Sequence, residues 1–166
     1  MSTPEASATP TNASYPPASI AWYSLGILLV AYTIAFVDRT ILAQLVGPIQ
    51  RDLGISDTLM GLLHGIAFAL FYCALGRPIA RLSDQHSRRW IILIGMMIWS
   101  AMTALCGVAR NFWHLFIARI GVGVGEAALS PAAYSMIADM FPPHRLARAL
   151  GVYSSGVFFG AGIAFM

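Results

Sequence analysis

The sequence predicts an all-α polytopic membrane protein. Hydrophobic residues make up 58% of the chain and charged residues only 10%, whereas about a quarter of an ordinary soluble domain is charged. The apolar residues form five long runs with short polar connections, and each run has the roughly 20 residues that a bilayer requires. No block of like charges indicates a nucleic-acid surface. The composition therefore favours a lipid bilayer as the main partner.

The predicted elements follow one another along the chain without large insertions. Residues 1–18 are rich in Ser, Thr, Ala and Pro and contain one charge, which predicts a disordered cytoplasmic tail. Residues 19–166 predict an N-terminal bundle of transmembrane helices that is incomplete. Trp22 and Tyr23 are an aromatic pair typical of the membrane interface. The five helices are predicted at about 19–48, 57–80, 89–108, 111–140 and 147–166.

The arginines predict how the bundle is oriented. Most of them flank the second and fourth connections: Arg77, Arg81, Arg88, Arg89, Arg145 and Arg148. The first connection has Arg51 beside two aspartates, and the third has only Arg110. The positive-inside rule places the second and fourth connections in the cytoplasm, and by parity the N-terminus is cytoplasmic too. We predict an integral multi-pass protein of the plasma (inner) membrane.

The chain ends within an apolar run, on Gly-Ala-Gly-Ile-Ala-Phe-Met. This ending is neither a helix cap nor a polar tail. We therefore expect the sequence to be the N-terminal part of a longer chain, whose missing C-terminal half would be its partner in the bundle.

Charged residues inside two apolar runs are the strongest functional signal. Asp38 and Arg39 stand side by side in the first predicted helix, and Arg119 and Glu126 lie in the fourth. An Asp or Arg at the centre of a membrane helix costs roughly 2.5–3.5 kcal/mol on insertion scales, and such residues usually face a bundle interior or a water-filled path. With a rise of about 1.5 Å per residue, both carboxylates lie well inside the bilayer at similar depth.

Two interpretations of these four residues stay open. One is a protonatable site that couples proton movement to substrate movement, and the other is a buried structural ion-pair network. Burial and a nearby arginine act on the pKa of a carboxylate in opposite directions, so a carboxylate under both influences is a candidate for carrying a proton. The sequence does not decide between the two carboxylates, although it modestly favours Glu126, since Asp38 has Arg39 as its immediate neighbour.

A second charged motif lies in the connection between the second and third helices. Here the chain resembles the major facilitator superfamily of transporters, whose signature is G-x-x-x-D-R/K-x-G-R-K/R. The corresponding residues are Ala80, Asp84, Gln85, Ser87, Arg88 and Arg89. The aspartate and the arginine pair match, whereas small residues replace both glycines and glutamine replaces the first basic residue. The resemblance implies a conformational latch of Asp84, Arg88 and Arg89, with Asp139 as a candidate partner.

The fourth helix resembles a further signature of that family, an arginine followed by spaced glycines. The matching residues are Arg119, Gly121, Gly123 and Gly125. Asp38-Arg39 together with Gly125-Glu126-Ala127 most resembles the Spinster-like branch, which is associated with proton-linked export of lysolipids or sphingolipids. The resemblance implies the first five helices of a twelve-helix bundle. It also implies a central cavity lined by Asp38, Arg39, Arg119 and Glu126.

The predicted function is proton-coupled transport of a small amphipathic or anionic molecule such as a lysolipid. An organic-anion:proton symporter of the same superfamily is the first alternative, because an Asp-Arg pair in the first helix also occurs there. The second alternative is a non-transporting membrane module that pairs with partner helices through GxxxG pairs. These pairs are Gly61/Gly65, Gly121/Gly125 and Gly156/Gly160.

Enzymatic, cofactor and metal sites are not predicted. The sequence contains no recognisable motif of a nucleophile and its base, and the four histidines form no cluster with metal-ligand spacing. Residues 123–128 match G-x-G-x-x-A but lack the preceding strand that a dinucleotide site requires. We therefore expect no catalytic residue, no cofactor and no metal.

Overall fold

The computed structural model describes residues 15–166, apart from the side chains of residue 80 and residues 83–85. Five of its helical stretches are long and apolar enough to cross a membrane, which confirms the all-α polytopic prediction. Residues 1–14 of the predicted tail lie outside the description. The helices are α1 (Ala18–Gln44), α2 (Val46–Leu53), α3 (Asp57–Gly61), α4 (Ala67–Gln85), α5 (Arg88–Gly107), α6 (Phe112–Ala127), α7 (Leu129–Met140), α8 (Pro143–Ser154) and α9 (Gly156–Ala164).

Several of these helices are halves of one membrane span. The first span is α1 alone, and the short helix α2 follows it. The second span is α3, a π-helical turn (Leu62–Ile66) and α4 as far as Ile79, the third is α5, the fourth is α6 and α7, and the fifth is α8 and α9. Prolines account for two of the breaks, because a proline cannot donate to the carbonyl four residues earlier and its ring clashes with it. Pro48 thus interrupts the helix after Gln44, and Pro131 interrupts it after Ala127.

Some boundaries differ from those predicted. Helix α4 continues past residue 80 to Gln85, and the fifth span begins at Pro143 instead of residue 147. Pro143 is compatible with a helix start, because the first helical position needs no N–H donor and the fixed φ of proline suits it. The first predicted helix, 19–48, is broken at Leu45.

The two ends of the bundle are named here after one residue of each. The Gly54 end contains the connections 54–56 and 108–111, and the Ser87 end contains the connections 86–87 and 141–142. Gly54 closes α2 with a left-handed φ of 62°, a conformation that glycine adopts without steric cost. Pro16 lies beside Ser87 and Asp139, so the described start of the chain is at the Ser87 end.

Glycines allow the closest helix contacts. A Cβ added at Gly125 would lie 2.6 Å from the backbone nitrogen of Trp99 and 2.7 Å from the carbonyl oxygen of Gly95, so α5 and α6 touch backbone to backbone. Gly160 brings α9 equally close to α1 at Thr33. The third predicted pair, Gly61/Gly65, is not at a helix contact, because an added Cβ would meet no described atom within 4 Å at either glycine.

Candidate functional site: a buried charge cluster

Four charged side chains meet between α1 and α6, and they are the four predicted from the sequence. The Nε of Arg39 donates to Oε2 of Glu126. The Nη1 of Arg119 lies 3.5 Å from Oδ2 of Asp38. Each acid is thus paired with the arginine of the other helix. With two positive and two negative groups, the cluster is formally neutral, which lowers the cost of placing charges in an apolar bundle.

Asp38 and Arg39 point to different parts of the bundle. Successive residues of an α-helix are rotated by about 100°, so neighbours in sequence do not share a face. Asp38 is directed toward α5, whereas Arg39 reaches α4 and α6. Asp38 and Arg39 are therefore neighbours in sequence, but each forms its ion pair with a residue of α6 instead of with the other.

Asp38 is held by residues that sequence reasoning missed. The indole Nε1 of Trp99 donates to Oδ2 of Asp38 at 3.2 Å, and the hydroxyl of Thr103 donates to the same oxygen at 3.3 Å. Trp99 and Thr103 are four residues apart on α5 and therefore share a face. Two hydrogen-bond donors four residues apart in an otherwise apolar helix are the sequence signal that could have predicted a buried acceptor on a neighbouring helix.

Glu126 is in a drier environment than Asp38. Its side chain is 0% exposed, compared with 14% for Asp38. Its second oxygen, Oε1, is buried and has no hydrogen-bond partner among the described residues. Arg39 is the reachable member of this pair, with 29% of its side chain exposed. The Arg39 guanidinium also stacks on Phe68 and Tyr72, 4.9 Å from each ring centroid.

The predicted latch residues lie at the Ser87 end, near the end of α4, the start of α5 and the end of α7. Arg88 forms an ion pair with Asp139, and its Nη1 donates to the carbonyl of Ser135 at 3.5 Å. The ion pair joins the start of α5 to the end of α7. Arg89 is exposed and takes part in no ion pair among the described residues. Asp84 belongs to α4, but its side chain lies outside the described part of the chain.

In the described part of the chain, no three His, Cys, Asp or Glu side chains lie close enough together to hold a metal ion. The charged groups of the site are two carboxylates and two guanidinium groups in an apolar surround. Such groups can bind and release protons or bind a charged solute.

One family model and several known proteins are similar to this chain. The model described as "Major Facilitator Superfamily" matches residues 28–166. The chain is 32% identical to an MFS-type efflux pump of Mycolicibacterium smegmatis over 157 residues, which are 95% of this chain and 37% of that protein. It is 30% identical to the probable L-galactonate transporter of Escherichia coli over 138 residues, which are 83% of this chain and 30% of that protein.

A solved structure is more similar in sequence. It is the crystal structure of a bacterial homolog to the human lysosomal transporter Spinster, in an inward-facing and occupied conformation. The two chains superpose with a TM-score of 0.86 at 42% identity, and the match covers 90% of this chain and 32% of that one. The chain thus spans about a third of the length of the relatives it matches.

Proposed function

This chain belongs to the Major Facilitator Superfamily, and from this premise we propose that the whole protein is a proton-coupled secondary transporter. The cargo we propose is a small amphipathic or anionic molecule such as a lysolipid. The observation that carries the proposal is the buried cluster of Asp38, Arg39, Arg119 and Glu126. Ionisable residues inside membrane spans usually serve transport or proton relays. The same premise argues against an enzyme.

Competition for Arg39 is the proposed coupling step. While Glu126 is ionised, it holds Arg39. When Glu126 takes up a proton, the ion pair is lost and the guanidinium is free to bind an anionic group of the cargo. Phe68 and Tyr72 keep the side chain in place through cation–π contacts. Proton and cargo would thereby act on the same residue, which is what coupling requires.

The Arg88–Asp139 pair is the proposed latch. It joins the third and fourth spans at the Ser87 end, which the arginine distribution assigns to the cytoplasm. Alternating access in this type of transporter is a rocking of one half of the protein against the other. Residues 19–166 would form most of the first half, and the C-terminal half of the whole protein would be its partner. Asp84, Arg88, Arg89 and Asp139 would stabilise one of the two conformations.

Two other functions remain candidates. The similarity to a probable L-galactonate transporter favours an organic-anion:proton symporter as the first alternative. Gly61 and Gly65, where an added Cβ would meet no described atom within 4 Å, leave room for another helix, which is compatible with a module that only pairs with partner helices. A pairing module needs no buried charges, and this is why transport is the preferred function.

The test is pH-driven uptake by the whole protein in liposomes, with a lysophospholipid and a sugar acid as the two cargoes. Glu126→Gln and Asp38→Asn remove one carboxylate each without changing side-chain size. Asp57→Asn is the matched control, because Asp57 is exposed and bonded to Gln50 at the Gly54 end. We expect uptake driven by a pH gradient to be lost in at least one cluster variant and kept in the control. Unchanged pH-driven uptake in both cluster variants would remove the proposed coupling.

A further inference from the structure

The ring of Phe68 contacts both arginines of the charge cluster. The Cζ of Arg39 lies 4.9 Å from the centroid of this ring, and the Cζ of Arg119 lies 5.2 Å from it. Phe68 belongs to α4, whereas Arg39 belongs to α1 and Arg119 to α6. A single half-buried ring of the second span therefore touches the cations of the first and the fourth.

Gly123 leaves the space that the Phe68 ring occupies beside α6. A Cβ added at Gly123 would lie 3.0 Å from the carbonyl oxygen of Phe68 and 3.4 Å from Cδ2 of its ring. Gly123 is four residues after Arg119, so the two share a face of α6. Tyr72, four residues after Phe68, stacks on it with ring centroids 5.5 Å apart. Contacts with α6 and with Tyr72 therefore fix where the Phe68 ring lies.

The contacts that hold the two arginines differ in their dependence on protons. Both arginines form ion pairs, Arg39 with Glu126 and Arg119 with Asp38. An ion pair loses its attraction when the acid takes up a proton and becomes neutral. A cation–π contact depends instead on the electron distribution of the ring, and the side chain of Phe68 has no proton to gain or lose. The ring therefore attracts both guanidinium groups whichever acid is neutral.

We propose that Phe68 is a positioning residue, which keeps Arg39 and Arg119 in place while one of the acids is neutral. Without the ring, an arginine released by its own acid would turn to the acid that is still charged, because opposite charges attract strongly in an apolar bundle. With the ring, Arg39 stays where it can bind an anionic group. The inference rests on the proposed cargo binding for its role in transport, whereas the contact with both guanidinium groups stands independently.

Two titratable neighbours on the second span do not duplicate this contact. The Nε2 of His64 lies 3.3 Å from the carbonyl oxygen of Leu42 and is directed to α1. Of the guanidinium groups in the described part of the chain, Tyr72 has only that of Arg39 over its ring. Phe68 is thus the described ring that links the two cations of the cluster.

Stepwise fluorination of the ring tests the contact with little change in ring size. Mono-, di- and trifluorophenylalanine are introduced at position 68 of the whole protein, and each fluorine weakens the negative potential of the ring face that attracts a cation. Phe116 is the matched control position, because it is also half-buried and contacts the rings of Phe112 and Trp113. Among the described residues, no guanidinium group lies over Phe116.

Thermal unfolding measures the contact without transport. We expect the melting temperature to fall stepwise with fluorine number at position 68, and this trend to be absent at position 116. In the Arg39→Ala/Glu126→Gln background, trifluorophenylalanine at position 68 should give a smaller shift that is still measurable, because Arg119 keeps its contact. The same series at both positions, or a flat series at position 68, would overturn the inference. In the double-variant background, an undiminished shift or no shift would contradict a ring shared by both arginines.

Uptake kinetics test the positioning role. The cargo is the lysophospholipid or the sugar acid, whichever the wild-type whole protein takes up in liposomes. Across the series at position 68 we expect KM to rise about tenfold, which lies within the range of a desolvated cation–π contact, and kcat to change less than KM. A ring that only packs α4 against α6 would give no graded rise, because its size is kept.

The outcomes separate this inference from the proposed function. A KM that does not follow fluorine number in a protein with pH-driven uptake would overturn the positioning role and leave the proposed function standing. A stepwise fall in melting temperature in a protein without pH-driven uptake would retain the contact with both arginines and remove the proposed function.

Discussion

Asp38 and Glu126 are similar in their pairing and differ in their surroundings. Each is paired with the arginine of the other helix. Asp38 has an indole, a hydroxyl and a cavity beside it, whereas Glu126 is enclosed and is paired with Arg39 alone among the described hydrogen bonds. The difference teaches that one cluster can hold a carboxylate with several donors and partial exposure beside another that is enclosed with a single arginine.

The largest expected effect comes from breaking the ion pair between Arg39 and the enclosed Glu126. Arg39→Ala leaves Glu126 buried without its cation, and removal of one member of a buried pair costs about 3–5 kcal/mol. We expect a large fall in the melting temperature of the purified whole protein and loss of pH-driven uptake. Arg110→Ala is the control, since Arg110 is an exposed arginine in the connection 108–111.

The double variant Arg39→Ala/Glu126→Gln sharpens this prediction. It contains no unpaired buried charge at this position, so part of the lost stability should return, as expected for residues that interact. A double variant that is as unstable as the sum of the two single variants would mean that the pair contributes little.

The next effect concerns the hydrogen bonds of Asp38. Trp99→Phe keeps an aromatic ring on α5 but removes the N–H that donates to Asp38. A hydrogen bond to a charged group contributes about 1.5–3 kcal/mol, so a moderate fall in melting temperature is expected. Trp113→Phe is the matched control, because Trp113 is 66% exposed at the start of α6. Equal changes in the two variants would argue that the indole does not support Asp38.

A smaller effect is expected at the backbone contact between α5 and α6, where Gly125 packs against Trp99 and Gly95. Gly125→Ala forces a methyl group against the backbone of Trp99 and Gly95, and overpacking costs about 1–3 kcal/mol. Gly162→Ala adds the same methyl group where no described atom lies within 4 Å, and it should stabilise α9 by about 0.5–1 kcal/mol. Thermal unfolding of both variants measures the difference, and shifts of the same sign would contradict the backbone contact.

The smallest effect on stability is expected away from the cluster. Arg88 and Asp139 form a partly exposed ion pair, and pairs of this kind contribute about 0–1 kcal/mol. Arg88→Ala should therefore leave the melting temperature almost unchanged while lowering the rate of uptake, if the pair acts as a latch. Asp139→Asn should have the same effect, and the double variant should add nothing further. Uptake at the wild-type rate in all three would remove the latch.

Most of the fold could be predicted because its signals are local. The five spans follow from runs of apolar residues, and the family resemblance at Asp84, Arg88 and Arg89 and at Arg119 is confirmed by the match to residues 28–166. The helix breaks after Gln44 and Ala127 were not predicted. They could have been, because Pro48 and Pro131 lie four residues further on and cannot donate a hydrogen bond to the carbonyls of Gln44 and Ala127.

The sequence by itself determined that the chain belongs in a membrane and that Asp38, Arg39, Arg119 and Glu126 lie well inside the first and fourth apolar runs, because hydrophobicity depends only on residue order. The tertiary structure decided which arginine meets which acid, because that pairing depends on how α1 and α6 are rotated against each other. It also decided that Trp99 and Thr103 support Asp38 and that a cavity reaches this residue but not Glu126. Contacts between helices distant in sequence leave no pattern along the chain, so packing alone sets them.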